Sequence, residues 1–327
     1  MFATRLQRRR LFFQLGFFAL FLVAPALDWL RFDLSTTQLW VLGQPWSLGI
    51  DALRAGTRSA PEVAAGIFWR AFVPALGLIA AFLAVAWRYG RLYCGWLCPH
   101  FSLVELLNGV LLRACGKASV WERSPQTAQR TDARWWPVFG GLCLLLGFTW
   151  AITLLSYLLP PARLWQHLLN GQLTPGEARF LLAATTVFTL EFAFARHLFC
   201  RFGCAVGFFQ SLVWMANPKG MVVAFARDSA RDCRTCHTAQ APKGSACDTT
   251  CPMRLHPRNI KRMMFSCVQC GRCLSACRRS QGAQQRPPLL EWKLDADAVR
   301  ETLRQRRDAL AAERAAHAPA RTDTGEV

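Results

Sequence analysis

The sequence predicts an α-helical polytopic membrane protein that ends in a small cysteine-rich α+β domain. Four apolar segments, Leu11–Leu30, Ala64–Trp87, Trp136–Leu159 and Ala178–Phe199, each reach the about 20 residues a helix needs to cross a hydrocarbon core. Near residue 225 the composition turns from Leu, Phe, Ala and Trp to polar, basic and Cys-rich. Eight of the 14 cysteines fall between Cys233 and Cys277. The expected division is a membrane domain over 1–225, a cysteine-rich domain over 226–285, and a charged helical tail over 286–327 whose end is disordered.

The first segment follows Arg8-Arg9-Arg10, as a cleavable leader would. Its apolar stretch is long and lacks a small-x-small cleavage site, so it reads as a retained helix. Basic residues orient the chain. Arg5, Arg8, Arg9 and Arg10 precede the first helix, and Arg88, Arg91, Arg113, Lys117, Arg123, Arg130 and Arg134 lie between the second and third. A Lys- and Arg-rich region follows the fourth. The other two loops are nearly balanced: Arg31, Arg54 and Arg58 against Asp33, Asp51 and Glu62, and Arg163 against Glu177. The excess of basic residues on one side puts both termini and the cysteine-rich domain on the cytoplasmic side of the membrane, with two loops outside. Trp29, Trp40, Trp46, Trp69, Trp150 and Trp165 mark the outer boundary as an aromatic belt. A formal net charge of +19 would point to nucleic acid in a soluble protein, but membrane topology accounts for it here. Lipid, and not nucleic acid, is the expected partner of this charge.

The segments pair into two hairpins, each ending in a similar phrase. Leu92-Tyr93-Cys94-Gly95-Trp96-Leu97-Cys98-Pro99 closes the first, and Leu198-Phe199-Cys200-Arg201-Phe202-Gly203-Cys204-Ala205 the second. Duplicated hairpins tend to pack symmetrically, which would bring Cys94, Cys98, Cys200 and Cys204 together at the cytoplasmic surface. On helices, the i, i+4 spacing puts each pair on one face. Such thiols hold zinc, an iron–sulfur cluster or copper, or shuttle between dithiol and disulfide. Cys115 and Cys143 lack partners and read as plain packing. The segments after each phrase, Phe101–Leu112 and Val206–Met215, read as short helices at or dipping into the inner interface.

Cytoplasmic thiols are ligands or reactive centres rather than disulfides. Cys267-x2-Cys270-x2-Cys273-x3-Cys277 has the spacing of one half of a bacterial two-cluster ferredoxin, and Cys233-x2-Cys236 with Cys247-x3-Cys251-Pro252 gives the pieces of the other half. Likeness to such a 2[4Fe-4S] domain implies one cluster on Cys267, Cys270, Cys273 and Cys251, and a second on Cys233, Cys236, Cys247 and Cys277. The chain departs from that pattern between Cys236 and Cys247. The insertion His237–Ala246, with its Pro242-Lys243-Gly244 turn, either loops out, makes the cluster a three-iron one, or leaves Cys236 unused. Zinc knuckles also use Cys-x2-Cys, but the Cys267 run suits a single tetrahedral ion poorly. Lys261, Arg262, Arg272, Arg278 and Arg279 surround the thiols, where positive charge raises a cluster's potential or draws anionic headgroups.

In helix order, in its Tyr93–Pro99 and Phe199–Cys204 phrases and in its Cys267–Cys277 run, the chain resembles the NapH-type membrane iron–sulfur proteins and is similar to the related NosR and CcoG (RdxA/FixG) proteins. The resemblance runs from about Arg8 to about Ser280. It departs at Ala205, where proline often follows the second pair, and the chain lacks the flavin domain of NosR and the immunoglobulin-like domain of CcoG. The resemblance implies electron transfer from quinol or a partner protein through two cytoplasmic [4Fe-4S] clusters, as a subunit rather than a complete enzyme. The CcoG side implies instead copper handling for oxidase assembly at Cys94, Cys98, Cys200 and Cys204. A membrane redox sensor is a third reading.

Glu191 is the acid well inside a predicted span, and a quinol site needs a proton acceptor. With Arg196 and His197 it is a candidate lining, against the alternative of a simple polar pair within the bundle with a snorkelling Arg196. Arg70 reads as snorkelling outward. His100, His167 and His256 offer no spacing, and the helices lack the facing histidines that haem requires. A charged helix over Glu291–Ala316 reads as a partner contact or a solvated tail.

Overall fold

The computed structural model describes residues 4–117, 119–122, 131–236 and 245–316. Arg123, Arg130, the Pro242-Lys243-Gly244 turn and the chain end after Ala316 lie outside them.

Thr4 caps α1 (Arg5–Val23), its hydroxyl accepting from the Gln7 amide. Arginines fill the first turns, which leaves Leu11–Val23 as apolar length, about 20 Å at roughly 1.5 Å per residue. That is shorter than the about 30 Å hydrocarbon core. The expected span Leu11–Leu30 is corrected accordingly. The helix stops ahead of Pro25, and the chain turns into an antiparallel meander, β1 (Leu30–Asp33), β2 (Gln38–Val41) and β3 (Gln44–Trp46). Leu42 and Gly43, at φ 51° and 76°, make the tight turn between β2 and β3.

After α2 (Ile50–Arg54), α3 (Ala60–Ile67) opens on a Ser59–Glu62 capping box and runs through a π turn, Phe68–Phe72, into α4 (Val73–Tyr89). Next come α5 (Leu92–Trp96), α6 (Pro99–Cys115), α7 (Trp135–Ser156), α8 (Pro161–Leu169) and α9 (Pro175–Leu190). From α9 the chain passes through a π turn at Glu191–Ala195, the single turn α10 (Arg196–Leu198) and a second π turn at Phe199–Gly203, to α11 (Ala205–Ala216). Arg196, at φ 24°, bends this run.

Among the described residues, three helices are long and apolar enough to cross a membrane: Ala60–Tyr89, Trp135–Ser156 and Pro175–Ala216. They cover the second, third and fourth expected segments, the third stopping at Ser156 because Pro160 and Pro161 follow. Helices α7 and α9 touch at Gly147, where an added Cβ would lie 2.6 Å from Thr189 Oγ1. The two helices expected at the interface dip into the bundle. Helix α6 buries Leu103, Leu107 and Leu111 against Phe139 and Trp150 of α7 and Phe18 of α1, while α11 lies along α4.

The cysteine-rich part carries β4 (Val222–Phe225), a 3-10 stretch Arg227–Cys236, α12 (Ala246–Thr249), a 3-10 turn Lys261–Met264, α13 (Arg272–Gly282), β5 (Leu290–Lys293) and α14 (Asp295–Ala316). Strand β4 pairs antiparallel with β5, Val222 opposite Lys293 and Phe225 opposite Leu290. This sheet joins residues on either side of the expected limits 226 and 285. Glu291 lies in β5, so the tail helix starts at Asp295. Its inner face is docked: Ala298, Glu301 and Gln305 are buried, and Arg304 Nη2 donates to the Phe225 carbonyl (3.0 Å).

The two halves meet face to face. Gly95 lies so close to Val268 that a Cβ would run into the Val268 carbonyl oxygen. Trp96 Nε1 donates to Gln269 O (3.0 Å), Gln7 Nε2 to Cys270 O (3.1 Å) and Ser211 Oγ to Phe265 O (2.7 Å). Lys261 Nζ donates to the Trp214 and Asn217 carbonyls at the end of α11 (3.1 and 2.6 Å). Glu105 is the hub: it pairs with Arg10 of α1 and Arg272 of α13, and accepts from Gln14. Two outcomes follow from this contact. Gly95→Ala should destabilise the protein by about 1–3 kcal/mol through overpacking against backbone, read as a lower thermal midpoint in detergent. Glu105→Ala leaves Arg10 buried without its counter-charge and should cost about 3–5 kcal/mol, with faster proteolytic release of the cysteine-rich half; parent-like protection would show that the hub does not hold the halves together.

Candidate metal centre

Cys267 and Cys270 lie on the loop before α13, and Cys273 in its first turn. Gln269 and Gly271 take φ 51° and 65°, which coils the loop so tightly that a Cβ on Gly271 would sit 2.8 Å from Leu6 and 2.9 Å from Trp292. Cys251, Cys267, Cys270 and Cys273 line one small cavity, walled by Val223, Met253, Leu255, Val268 and Trp292. The Leu255 amide donates to Cys251 Sγ (3.4 Å), and the amides of Gln269 and Arg272 donate to Cys267 and Cys270. Four thiols around an apolar cavity, with N–H groups aimed at sulfur, fit the requirements of an iron–sulfur cluster.

The second quartet comes from separate elements: Cys233 and Cys236 from the 3-10 stretch, Cys247 from α12 and Cys277 from α13. Cys233, Cys247 and Cys277 pack in one group with Leu274, Leu289 and Leu290. Ser280 Oγ donates to Cys236 Sγ (3.1 Å), the Leu289 amide to Cys277 Sγ (3.3 Å), and Ser245 Oγ lies 3.0 Å from Cys247 Sγ. Burial pushes the Cys247 and Cys251 thiols up to about 11, so ligation has to expel a proton from each. Among the described residues, no three His, Cys, Asp or Glu side chains gather as ligands of a single metal ion. The irons of a cubane occupy separate corners and call for thiolates spread around a cavity.

The repeated phrases reach one locus, though not by sharing helix faces. Cys94 lies in α5 and Cys98 beyond its end, as the N-cap of α6; Cys200 lies in a π turn and Cys204 caps α11. Helix breaks therefore aim the thiols, correcting the expectation from i, i+4 spacing. Cys94, Cys98 and Cys200 pack into the same group as Cys251, Cys267 and Cys270. Both caps have extended ψ, 117° and 107°, and the amides of His100 and Phe101 donate to Cys98 sulfur. Gln210 Nε2 donates to Cys94 Sγ (3.5 Å).

Glu191 meets His100, with Oε2 2.9 Å from Nε2, and His100 Nδ1 is 3.5 Å from Cys200 Sγ. Trp150, Phe192 and Phe199 surround that imidazole. The sequence singled out Glu191 but left His100 isolated, because the second phrase has Val206 at its offset and repetition raises no flag. Arg196 donates instead to the Phe192 and Ala193 carbonyls (3.0 and 2.9 Å) and stacks on Phe139. His197 is buried. His167 pairs with Glu177 (3.0 Å) and an exposed His256 with Asp248 (3.5 Å). Arg70 donates to the Ser47 carbonyl (3.0 Å). In the sequence Arg91 is only one of the topology charges, yet the fold buries it against Cys200. The repeat held a signal for it, since Arg91 and His197 each precede their phrase by one residue.

Residues 71–117, which include Cys94 and Cys98, match a family model described as a 4Fe-4S binding domain. The chain is 24% identical over 214 residues to the putative electron transport protein YccM of Escherichia coli (strain K12), covering 62% of this chain and 53% of that protein. It is 26% identical over 209 residues to protein RdxA of Cereibacter sphaeroides, covering 58% of this chain and 40% of that protein. The chain thus spans about half the length of the curated relatives it matches. No solved structure matches it.

Proposed function

We propose that this chain is a membrane-bound iron–sulfur electron-transfer protein of the bacterial inner membrane, with both termini cytoplasmic. It relays electrons from the quinol pool or a partner protein through two [4Fe-4S] clusters, one on Cys251, Cys267, Cys270 and Cys273, the other on Cys233, Cys236, Cys247 and Cys277. The observation that carries this reading is the cavity lined by Cys251, Cys267, Cys270 and Cys273, against whose loop Gly95 and Trp96 of the first membrane phrase are packed. The match of residues 71–117 to a 4Fe-4S binding domain and the likeness to the putative electron transport protein YccM support an iron–sulfur electron-transfer role in general. Bound clusters supply the one-electron chemistry. The chain's residues supply thiolates, exclude water with Val223, Met253, Leu255 and Trp292, and direct amides at sulfur. Quinol oxidation releases two protons with two electrons, and Glu191, hydrogen-bonded to His100 in aromatic surroundings, is the proton acceptor of this reading.

A second reading is metal handling, with copper bound or reduced for oxidase maturation at Cys94, Cys98, Cys200 and Cys204. It draws on the soft thiols gathered beside His100. Anaerobic purification with iron and sulfide analysis, and EPR with and without added quinol, separates the two. The relay gives about eight irons for two cubanes and signals that quinol reduces. Copper binding lost in Cys94→Ser and Cys200→Ser, with clusters indifferent to quinol, selects the second reading, and zinc without sulfide sinks both clusters. Glu191→Gln should slow quinol-linked reduction about a hundredfold, the usual weight of a general base, while reduction by dithionite proceeds as in the parent. Equal slowing with both reductants would remove Glu191 from the proton path.

A further inference from the structure

Arg91 is 1% exposed, among the most buried side chains of the molecule. Its Nη2 donates to the Cys200 carbonyl (2.5 Å), its Nε has no partner, and its charge favours the thiolate of Cys94, which packs in one group with Cys200 and Cys267. Its charge also reaches Cys267 across the interface. Gly207 makes room for it, because a Cβ there would overlap Nη2.

Other guanidinium groups around the cysteine quartets have carboxylates: Arg10 and Arg272 share Glu105, Arg254 has Glu122 and Arg258 has Asp248. Among the described ion pairs none takes Arg91, and an isolated buried cation is costly. The compensating negative charge must come from the groups it faces, and those are thiols. Two further positive ends point the same way. Cys98 and Cys204 cap α6 and α11, so both helix N-termini, each with a partial positive charge, open onto this locus. A guanidinium and two helix N-termini around four thiols make a site built for net negative charge, as metal–thiolate centres carry.

We propose that Arg91 is the shared counter-cation of two thiolate centres, the Cys94–Cys98–Cys200–Cys204 site on one side and the Cys251–Cys267–Cys270–Cys273 site on the other. It rests on the cluster assignment proposed above. As a positioning residue it sets how readily an electron is held next to it, and through it each centre senses the charge on the other. Removing the cation makes the Cys267-run cluster harder to reduce. Removing the thiolates that share the cation frees its charge for that cluster and makes reduction easier. The two changes act with opposite signs, which a merely structural role would not produce.

The test is a dithionite redox titration followed by EPR on the full-length protein in detergent, with iron and sulfide measured for each variant. Arg91→Met should lower the reduced-to-oxidised ratio of the Cys267-run cluster about tenfold at fixed solution potential, which is 59 mV for one electron. Arg91→Lys, which keeps the charge, should stay within about threefold of the parent, and the Cys94→Ser/Cys200→Ser double variant should raise the ratio. An unchanged ratio in Arg91→Met at parental iron and sulfide overturns the proposal, as does Arg91→Lys shifting as far as Arg91→Met. Should Arg91→Met not fold, Gly207→Ala displaces the guanidinium while keeping its charge. A lowered ratio there supports the proposal and a parental one overturns it. Parent protein without iron and sulfide is a different failure, that of the cluster assignment itself.

Discussion

The close approach of Gly95 to the Val268 carbonyl is the constraint on which the rest of this molecule depends. Two backbones can come this near only where one of them lacks a Cβ, so the contact fixes both the register and the distance between the membrane phrase and the Cys267 loop. The surrounding polar groups serve that register. Gly95 O accepts from Arg10 Nε (2.7 Å), and Arg10 shares Glu105 with Arg272 of the opposite half. Buried ion pairs of this kind contribute little net stability against an apolar equivalent, but they punish misalignment because each partner left alone is a desolvated charge. For the proposed electron transfer that is the useful property, since the separation of redox centres would matter more than the depth of the folding well.

The duplicated hairpins reach the same junction by exchanging partners. Helix α6, which follows the first phrase, packs on α7 of the second hairpin, and α11, which follows the second phrase, packs on α4 of the first. Each phrase is therefore a helix break at which the chain re-enters the bundle. At such a break Cys98 and Cys204 fall at N-caps, where free amides face the sulfur. The spacing of the cysteines is a property of the break rather than of a helical face.

Much of this was legible in the sequence because it is local. The close spacing of Cys267, Cys270 and Cys273 foretells that they line one cavity, and the long apolar runs announce three of the helices. What was not legible depends on distant partners. β4 and β5 are short strands whose pairing joins residues on both sides of the cysteine run, and neither shows its role alone. The meander Leu30–Trp46 falls in a stretch the sequence shows only as a charge-balanced loop with boundary tryptophans, since its turn geometry at Leu42–Gly43 appears only in the fold. His100 is one imidazole until α9 brings Glu191 to it, and Glu105 is one acid on an apolar helix until Arg10 and Arg272 converge on it. The first apolar segment misled for a physical reason. Hydropathy counted the apolar residues from Ala24 to Leu30, which Pro25 and the following turn remove from the helix, so that α1 ends at Val23.

The excess of positive charge takes on a different meaning once its members are located. Counting residues, +19 is a number that topology alone explains. In the fold, a subset of those cations is not at a membrane surface. Arg10, Arg91 and Lys261 are buried, and Arg254 and Arg258 lie half-buried beside the cysteine quartets. Several are held by carboxylates or by helix-end carbonyls, which balances their charge locally. Arg91 has no carboxylate in any ion pair among the described residues, and it lies against Cys200, which packs in one group with Cys94, Cys267 and Cys270. A desolvated cation there suits the relay proposed above, in which electrons would be held on both sides of that contact, and does nothing for a simple lipid anchor.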